Sequence, residues 1–257
     1  MIRNECMAVV AQAEIARNIF ELTLKGGLVS EIGKPGRFVH IRTSDGFDPL
    51  LRRPVSISSV DEEAGTMTLI YRAEGKGTAL LSRKSAGETV DVLGPLGNGF
   101  PAEAAKAGSR ALIVGGGIGV PPLYGLSEKL KAAGVEPVHV LGFQSADVAF
   151  YEEQFGELGE THLATVDGSA GTKGFVTDVI RSLPGEFDVY YSCGPLPMLT
   201  AVSSEMEGTE GYLSFEERMG CGIGACFACV CRTDSNEKGY VKVCSDGPVF
   251  RDGVVKL

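Results

Sequence analysis

Four cysteines near the C-terminus, Cys221, Cys226, Cys229 and Cys244, constrain this chain more than any other feature. They read C-x4-C-x2-C, with fourteen residues between Cys229 and Cys244. That spacing matches plant-type [2Fe–2S] ligation, in which thiolates hold two irons. A loop wrapped closely around metal needs unusual backbone, and Gly222 and Gly224 supply it, turning N–H groups toward the sulfurs. The competing reading is a structural zinc site, but such sites usually pair two C-x2-4-C knuckles. Here three cysteines share one loop and the fourth is distant, which favours the cluster. Cys231 falls just outside the pattern and reads as a spectator on a strand; Cys6 reads as a small hydrophobe.

Composition narrows the remaining classes. A formal charge of −9 argues against a phosphate-backbone partner, so no nucleic acid is expected. Beyond residue 212 six acidic residues face six basic ones, leaving the cysteine segment neutral and the excess charge upstream. Polar residues interrupt the N-terminal apolar run, and no stretch approaches the ~18 apolar residues of a membrane span. The expectation is a cytoplasmic protein, in which clustered cysteines serve a metal or cluster rather than disulfides. With three histidines, at 40, 139 and 162, histidine-based acid–base catalysis has little material.

Periodicity divides the chain in three. Residues 7–13, 19–24, 37–41, 55–59, 67–71 and 89–93 are short β-prone runs. Turn signals at Lys25-Gly-Gly, Lys34-Pro-Gly, Asp45-Gly, Glu63-Ala-Gly and Ser85-Ala-Gly separate them, which predicts a small antiparallel barrel over 1–100. Strands at 110–114, 137–143, 161–165 and 188–192 then alternate with helices at 122–133, after 146, at 175–182 and at 197–206. That alternation predicts an α/β domain with a parallel sheet over 101–211. Residues 212–257 show almost no regular period, so a small cluster domain held by its metal is expected there.

Two motifs point to nucleotides. Arg110-Ala-Leu-Ile-Val-Gly115-Gly116-Gly117-Ile-Gly119 is a strand running into a glycine-rich turn before a helix. Such a turn lets backbone approach a pyrophosphate, and the helix N-terminus favours anions. Residues 142–153 after the next strand hold no Lys or Arg, which favours NAD over NADP. In the barrel half, Leu51-Arg-Arg53-Pro54-Val55-Ser56 sets arginines beside a hydroxyl on a strand. They suit a flavin pyrophosphate and ring edge, or else they are a solvated strand with chance charges.

In this order, Arg-Pro-x-Ser, Gly94-Pro-Leu-Gly-x-Gly-Phe, the Gly115–Gly119 turn and Cys193-Gly194-Pro-Leu-Pro-Met resemble the ferredoxin–NADP reductase superfamily. Over nearly its whole length the chain is similar to the electron transfer subunits of NAD-dependent (type B) dihydroorotate dehydrogenases. The stretches 51–59, 94–101, 115–124, 218–230 and 242–250 carry that match. The resemblance implies an α+β multidomain architecture: a β-barrel FAD domain, an α/β NAD domain and a C-terminal [2Fe–2S] domain. It implies FAD contacts at Arg53, Pro54, Val55, Ser56, Ile70, Tyr71, Arg72, Gly77 and Thr78, and an FMN-containing catalytic subunit as partner in a heterotetramer. The wider superfamily has Tyr where Val55 stands, leaving Tyr71 as the candidate for ring stacking. Cys193 is placed either near the nicotinamide or in packing. A related family, the small subunits of NADH-dependent reduced ferredoxin:NADP+ oxidoreductases, typically has an Asp among its cluster ligands, unlike this chain.

The three sites belong together on chemical grounds. NAD exchanges a hydride and a cluster exchanges one electron; a flavin can do both and must lie between them. The implied course is electrons from the partner's FMN through the cluster and FAD to NAD+, as dihydroorotate is oxidised for pyrimidine biosynthesis. The partner then keeps the general base, and the neutral cysteine segment is the expected docking face. A non-enzymatic zinc-bound interaction module is the reading from another class, and it would leave the arginine motif and the glycine turn without a purpose.

Overall fold

Apolar side chains alternate along the first six runs, so each strand buries one face inside a closed sheet. In the computed structural model, which describes residues 1–44 and 46–257, these are β1 (Arg3–Ala16), β2 (Ile19–Lys25), β3 (Phe38–Arg42), β4 (Arg53–Asp61), β5 (Thr66–Arg72) and β6 (Thr89–Leu96). The turn signal at Asp45 lies outside the described residues. The strands close an antiparallel barrel in the order β1-β2-β5-β4-β3-β6 around Leu22, Leu24, Val39, Ile41, Leu69 and Val92. β1 is longer than expected because it closes the barrel, pairing with β6 through residues 3–8 and with β2 through 8–16. Cys6, read as a small hydrophobe, lies on the exposed side of β1 rather than in the core. A short helix, α1 (Lys76–Leu81), links β5 to β6. Its six residues are too few to display a helical period in the sequence.

The second half contains β7 (Arg110–Gly116), α2 (Pro121–Ala132), β8 (Glu136–Phe143), α3 (Glu152–Gly156), β9 (Glu160–Thr165), β10 (Thr172–Lys173), α4 (Val176–Ser182), β11 (Val189–Cys193), α5 (Leu196–Glu205) and β12 (Glu210–Ser214). Leu112 and Val114 of β7 pack toward α4 and α5, while Ala111 and Ile113 pack toward α2 and α3. A parallel sheet covered on both faces produces such an unbroken apolar run. The helix expected after Ala146 is α3, which begins at Glu152 beyond a single 3-10 turn at Ala146–Val148.

The cysteine segment adds β13 (Val230–Arg232), β14 (Tyr240–Lys242) and β15 (Val249–Arg251). The seven-stranded sheet runs β10-β9-β8-β7-β11-β12-β15, with β15 antiparallel to β12. The tail is therefore more regular than its sequence suggests. Both ends of the cysteine segment are sheet strands, and β12 itself crosses the position expected for a domain boundary. Phe38 and Leu96 of the barrel share one core with Leu213, Cys229, Val243, Cys244 and Phe250. Asn98 reinforces this junction: its Nδ2 donates to the carbonyls of Asp246 and Val249, each at 3.0 Å.

Candidate functional site

The loop 221–229 is shaped by two glycines in the left-handed region, Gly222 (φ 72°) and Gly224 (φ 81°). With that backbone its N–H groups point inward. Ile223, Ala225 and Cys226 donate to Cys221 Sγ at 3.5, 3.2 and 3.4 Å. Gly224 donates to Cys244 Sγ at 3.2 Å, and Cys221 to Cys226 Sγ at 3.4 Å. Burial pushes the Cys221 thiol up, but these donors outweigh it and hold it down at about 7. Donors aimed at sulfur stabilise a thiolate, the form that ligates metal, so the segment fits an iron–sulfur group.

The thiols come in pairs. Cys229 Sγ and Cys244 Sγ lie 3.2 Å apart, both buried, while Cys221 and Cys226 are linked through their N–H···S contacts. Among the described residues no three Cys, His, Asp or Glu side chains gather around a point suited to one metal ion. Two irons, each taking two thiolates, do not require such a point. Cys231 turns instead toward Glu217, 3.9 Å away, and burial with that carboxylate pushes its thiol up to about 11.

One residue here escaped the sequence reading. His40 is fully buried on the outer face of β3, under the cysteine loop, with neither ring nitrogen hydrogen-bonded. A Cβ added to Gly222 would come 2.6 Å from His40 Nδ1. Burial, with a smaller push from the Arg52 and Arg53 guanidiniums, lowers its pKa to about 4. The signal in the sequence is a lone histidine within Phe38-Val-His-Ile, a strand buried on both faces.

In the flavin motif, Pro54 pairs across the barrel with His40, and Ser56 with Phe38. Arg53 Nη1 donates to Leu51 O at 2.6 Å, and its guanidinium lies against Gly77 at the start of α1. A Cβ on Gly77 would sit 2.7 Å from Arg53 Nε and 3.0 Å from Thr43 Oγ1, a buried hydroxyl without a partner. A cation, a side-chain-free helix start and an orphaned hydroxyl fit an anionic group such as a flavin pyrophosphate. Thr78 exchanges hydrogen bonds with the Gly75 backbone at 3.1 Å. Val55 is buried in the barrel core.

The expectation for Tyr71 needs correction. Its ring is enclosed in the barrel core, its centroid 6.0 Å from that of Phe20 and near-parallel to it, with its hydroxyl donating to Gln12 Oε1 at 2.8 Å. It has no free face for a flavin, because a barrel strand points alternate residues inward. Ile70, one residue earlier, faces outward into the nucleotide domain's core.

The nucleotide motifs meet at the C-terminal ends of adjacent parallel strands, Cys193 of β11 pairing with Gly115 of β7. The chain leaves β7 for β8 on one side and has β11 on the other, a topological switch point where ligands bind in open α/β sheets. The glycines have different tasks. Cβ atoms at Gly116 and Gly119 would come 2.4 Å from Met198 Sδ and from the Cys193 carbonyl oxygen. Those two allow the 115–119 and 193–198 turns to touch. Gly117 alone has positive φ (54°), and Arg72 reaches across from the barrel toward it. Gly194 likewise packs on Met198. Burial pushes the Cys193 thiol far up, with the Glu216 carboxylate adding to it, so Cys193 is a neutral thiol. Glu216, which no sequence period singled out, thus lies within electrostatic reach of both Cys193 and Arg72. Asp147, on the loop after β8, is paired with Arg17 from the β1–β2 turn at 3.0 Å.

Barrel, switch-point sheet and cluster segment together define a ferredoxin-reductase-like flavoprotein architecture. A ferredoxin NADP+ reductase from Neisseria gonorrhoeae shares the fold, with TM-score 0.64 and 15% identity over 79% of this chain and 90% of its own. An NADH-dependent reduced ferredoxin–NADP oxidoreductase structure is nearer, with TM-score 0.86 and 31% identity over 98% of this chain and 90% of that one. Residues 216–256 match the iron-sulfur cluster binding domain of dihydroorotate dehydrogenase B. The dihydroorotate dehydrogenase B (NAD(+)) electron transfer subunits of Lysinibacillus sphaericus and Bacillus mycoides are 63% and 59% identical, each over 100% of both chains. The chain belongs to this family of electron transfer subunits, oxidoreductase components that serve a catalytic partner subunit.

Proposed function

We propose that this chain holds FAD between an NAD(H) site and a [2Fe–2S] cluster and delivers electrons from a catalytic partner to NAD+. When bound, the flavin supplies the exchange between hydride and single-electron chemistry. Arg53 and Gly77, with the Thr43 hydroxyl, receive its pyrophosphate. Pro54, Val55, Ser56, Ile70, Tyr71, Arg72 and Thr78 frame it, Tyr71 through backbone only.

The turn 115–119 and the Cys193-Gly194 turn take NAD(H). The neutral Cys193 thiol packs beside the nicotinamide end without carrying charge, and Arg72 and Glu216 border the gap between barrel and sheet. Cys221 with Cys226 holds one iron, and Cys229 with Cys244 the other. Among the described residues no helix is long and apolar enough to cross a membrane. We place the protein in the cytoplasm, bound to an FMN-containing catalytic subunit as a heterotetramer of two of each. Exposed Ile223, Phe227 and Val230 beside the cysteine loop suit that docking.

The observation that carries this reading is the set of five N–H groups aimed at cysteine sulfurs in a segment that shares one core with the barrel and the nucleotide sheet. Anaerobically purified protein should contain two irons and two sulfides and release FAD. It should oxidise NADH with artificial acceptors but turn over dihydroorotate only when the catalytic subunit is added. Zinc in place of iron, or dihydroorotate oxidation by this chain alone, would sink the proposal.

A further inference from the structure

β3 alternates Val39 and Ile41 into the barrel core with Phe38 and His40 outward, and the cysteine segment covers that outer face. Phe38 meets it with carbon. His40 meets it with a polar ring that is fully buried and makes no hydrogen bond through either nitrogen. Buried polar atoms nearly always have partners, so an orphaned imidazole demands an explanation. A neutral imidazole has one N–H to donate and one nitrogen to accept. Its surroundings are specific. Gly222 lies over Nδ1, where even a methyl group would clash, and the backbone of the neighbouring ligand Cys221 lies beside the ring. Leu96 closes the other side of Gly222, and Pro54 of the flavin motif is the cross-strand neighbour of His40. One side chain thus touches the strand expected to hold the flavin and the loop expected to hold the cluster. The other two histidines, His139 and His162, lie on β8 and β9.

We propose that His40 is a positioning residue for the cluster, its imidazole N–H donated toward Cys221 so that the ligand loop is seated on the flavin barrel and the cluster's reduction potential is raised. The inference rests on the cluster assignment above. A donor beside a ligand thiolate withdraws negative charge and favours the reduced state, which fixes the sign. Glycine at 222 is then required for the ring's approach as well as for the turn.

The experiment uses the full chain with its catalytic subunit. Protein labelled with 15N only at histidine is reduced and examined by pulsed EPR, and the cluster midpoint potential is measured by redox titration. The wild type should show a 15N coupling to the cluster spin. His40→Asn, whose amide can reach the position of Nδ1, should abolish that coupling yet keep most of the potential. His40→Leu should lower the potential and shift the g values at full iron content. An iron-free wild type would overturn both the cluster assignment and this proposal. A loaded wild type without histidine coupling would overturn the His40 proposal alone, even if His40→Leu fails to fold. So would a loaded His40→Leu with unchanged potential.

Discussion

Gly119→Ala tests whether the two nucleotide turns form one unit. The added Cβ would lie 2.4 Å from the Cys193 carbonyl oxygen, 2.5 Å from its carbon and 2.6 Å from Gly194 N. All three are backbone atoms, so no side chain can swing away, and ordinary contact begins near 3.4 Å. One turn must therefore retreat from the other by about 1 Å. Overpacking of this kind costs about 1–3 kcal/mol. At about 2–4 °C per kcal/mol for a chain of this size, the melting temperature should fall by about 2–12 °C. A 1 Å misplacement of a bound reactant can cost on the order of 100-fold in rate. Stopped-flow reduction of the bound flavin by NADH should therefore slow far more than thermal unfolding alone suggests at 20 °C, where the variant stays folded. Gly156→Ala is the control: its Cβ meets nothing within 4 Å on a helix, so stability should rise by up to about 1 kcal/mol. A Gly119→Ala variant with wild-type melting and wild-type flavin reduction would show that the turns do not depend on this contact.

Cys244→Ser should lose the cluster, whereas Cys231→Ser should keep two irons and two sulfides by iron and sulfide assay, because Cys231 faces Glu217. Arg53→Ala should weaken FAD binding by about 10- to 100-fold in fluorescence titration of the apoprotein, the loss of a charge-assisted contact of roughly 1.5–3 kcal/mol. His139 is buried between Ser127 and Thr161, and burial lowers its pKa from 6.5 to about 3. Below pH 6.5 the unfolded chain takes up a proton that the folded chain refuses, so this contribution is complete above 6.5 and is lost as pH falls toward 3. Urea unfolding of apoprotein should show His139→Asn losing less stability than wild type on acidification, by about 1.4 kcal/mol per pH unit below 6.5. Equal slopes would refute the assignment.

Much of this molecule is written locally. The period-two runs before residue 100 and the alternation of strand and helix after it came through because each element buries its own face, and a buried face imposes its own period. The four cysteines were legible for a similar reason: the loop 221–229 encloses its own sulfurs, and its glycines lie next to the groups they serve. α1 was not legible, being too short to show a period. Nor was the distribution of labour within Gly115–Gly119. Local reasoning read the turn as a whole, as a pyrophosphate cradle or as simple strand–helix packing, while tertiary contact assigns Gly116 and Gly119 to the turn after β11, more than seventy residues away.

Three features belong to the tertiary structure alone. Tyr71 points into the barrel, since closure of the sheet decides which side of a strand is inside. Residues 210–214 and 249–251 become sheet strands because an edge of the parallel sheet is open to pair with them. His40 becomes notable only when a loop 180 residues further along the chain covers it. Sequence by itself determined which residues could ligate, cradle and turn, because those are properties of side chains and their near neighbours. Only the fold decided which of them meet, because burial and pairing across distant strands depend on surfaces that no single segment contains.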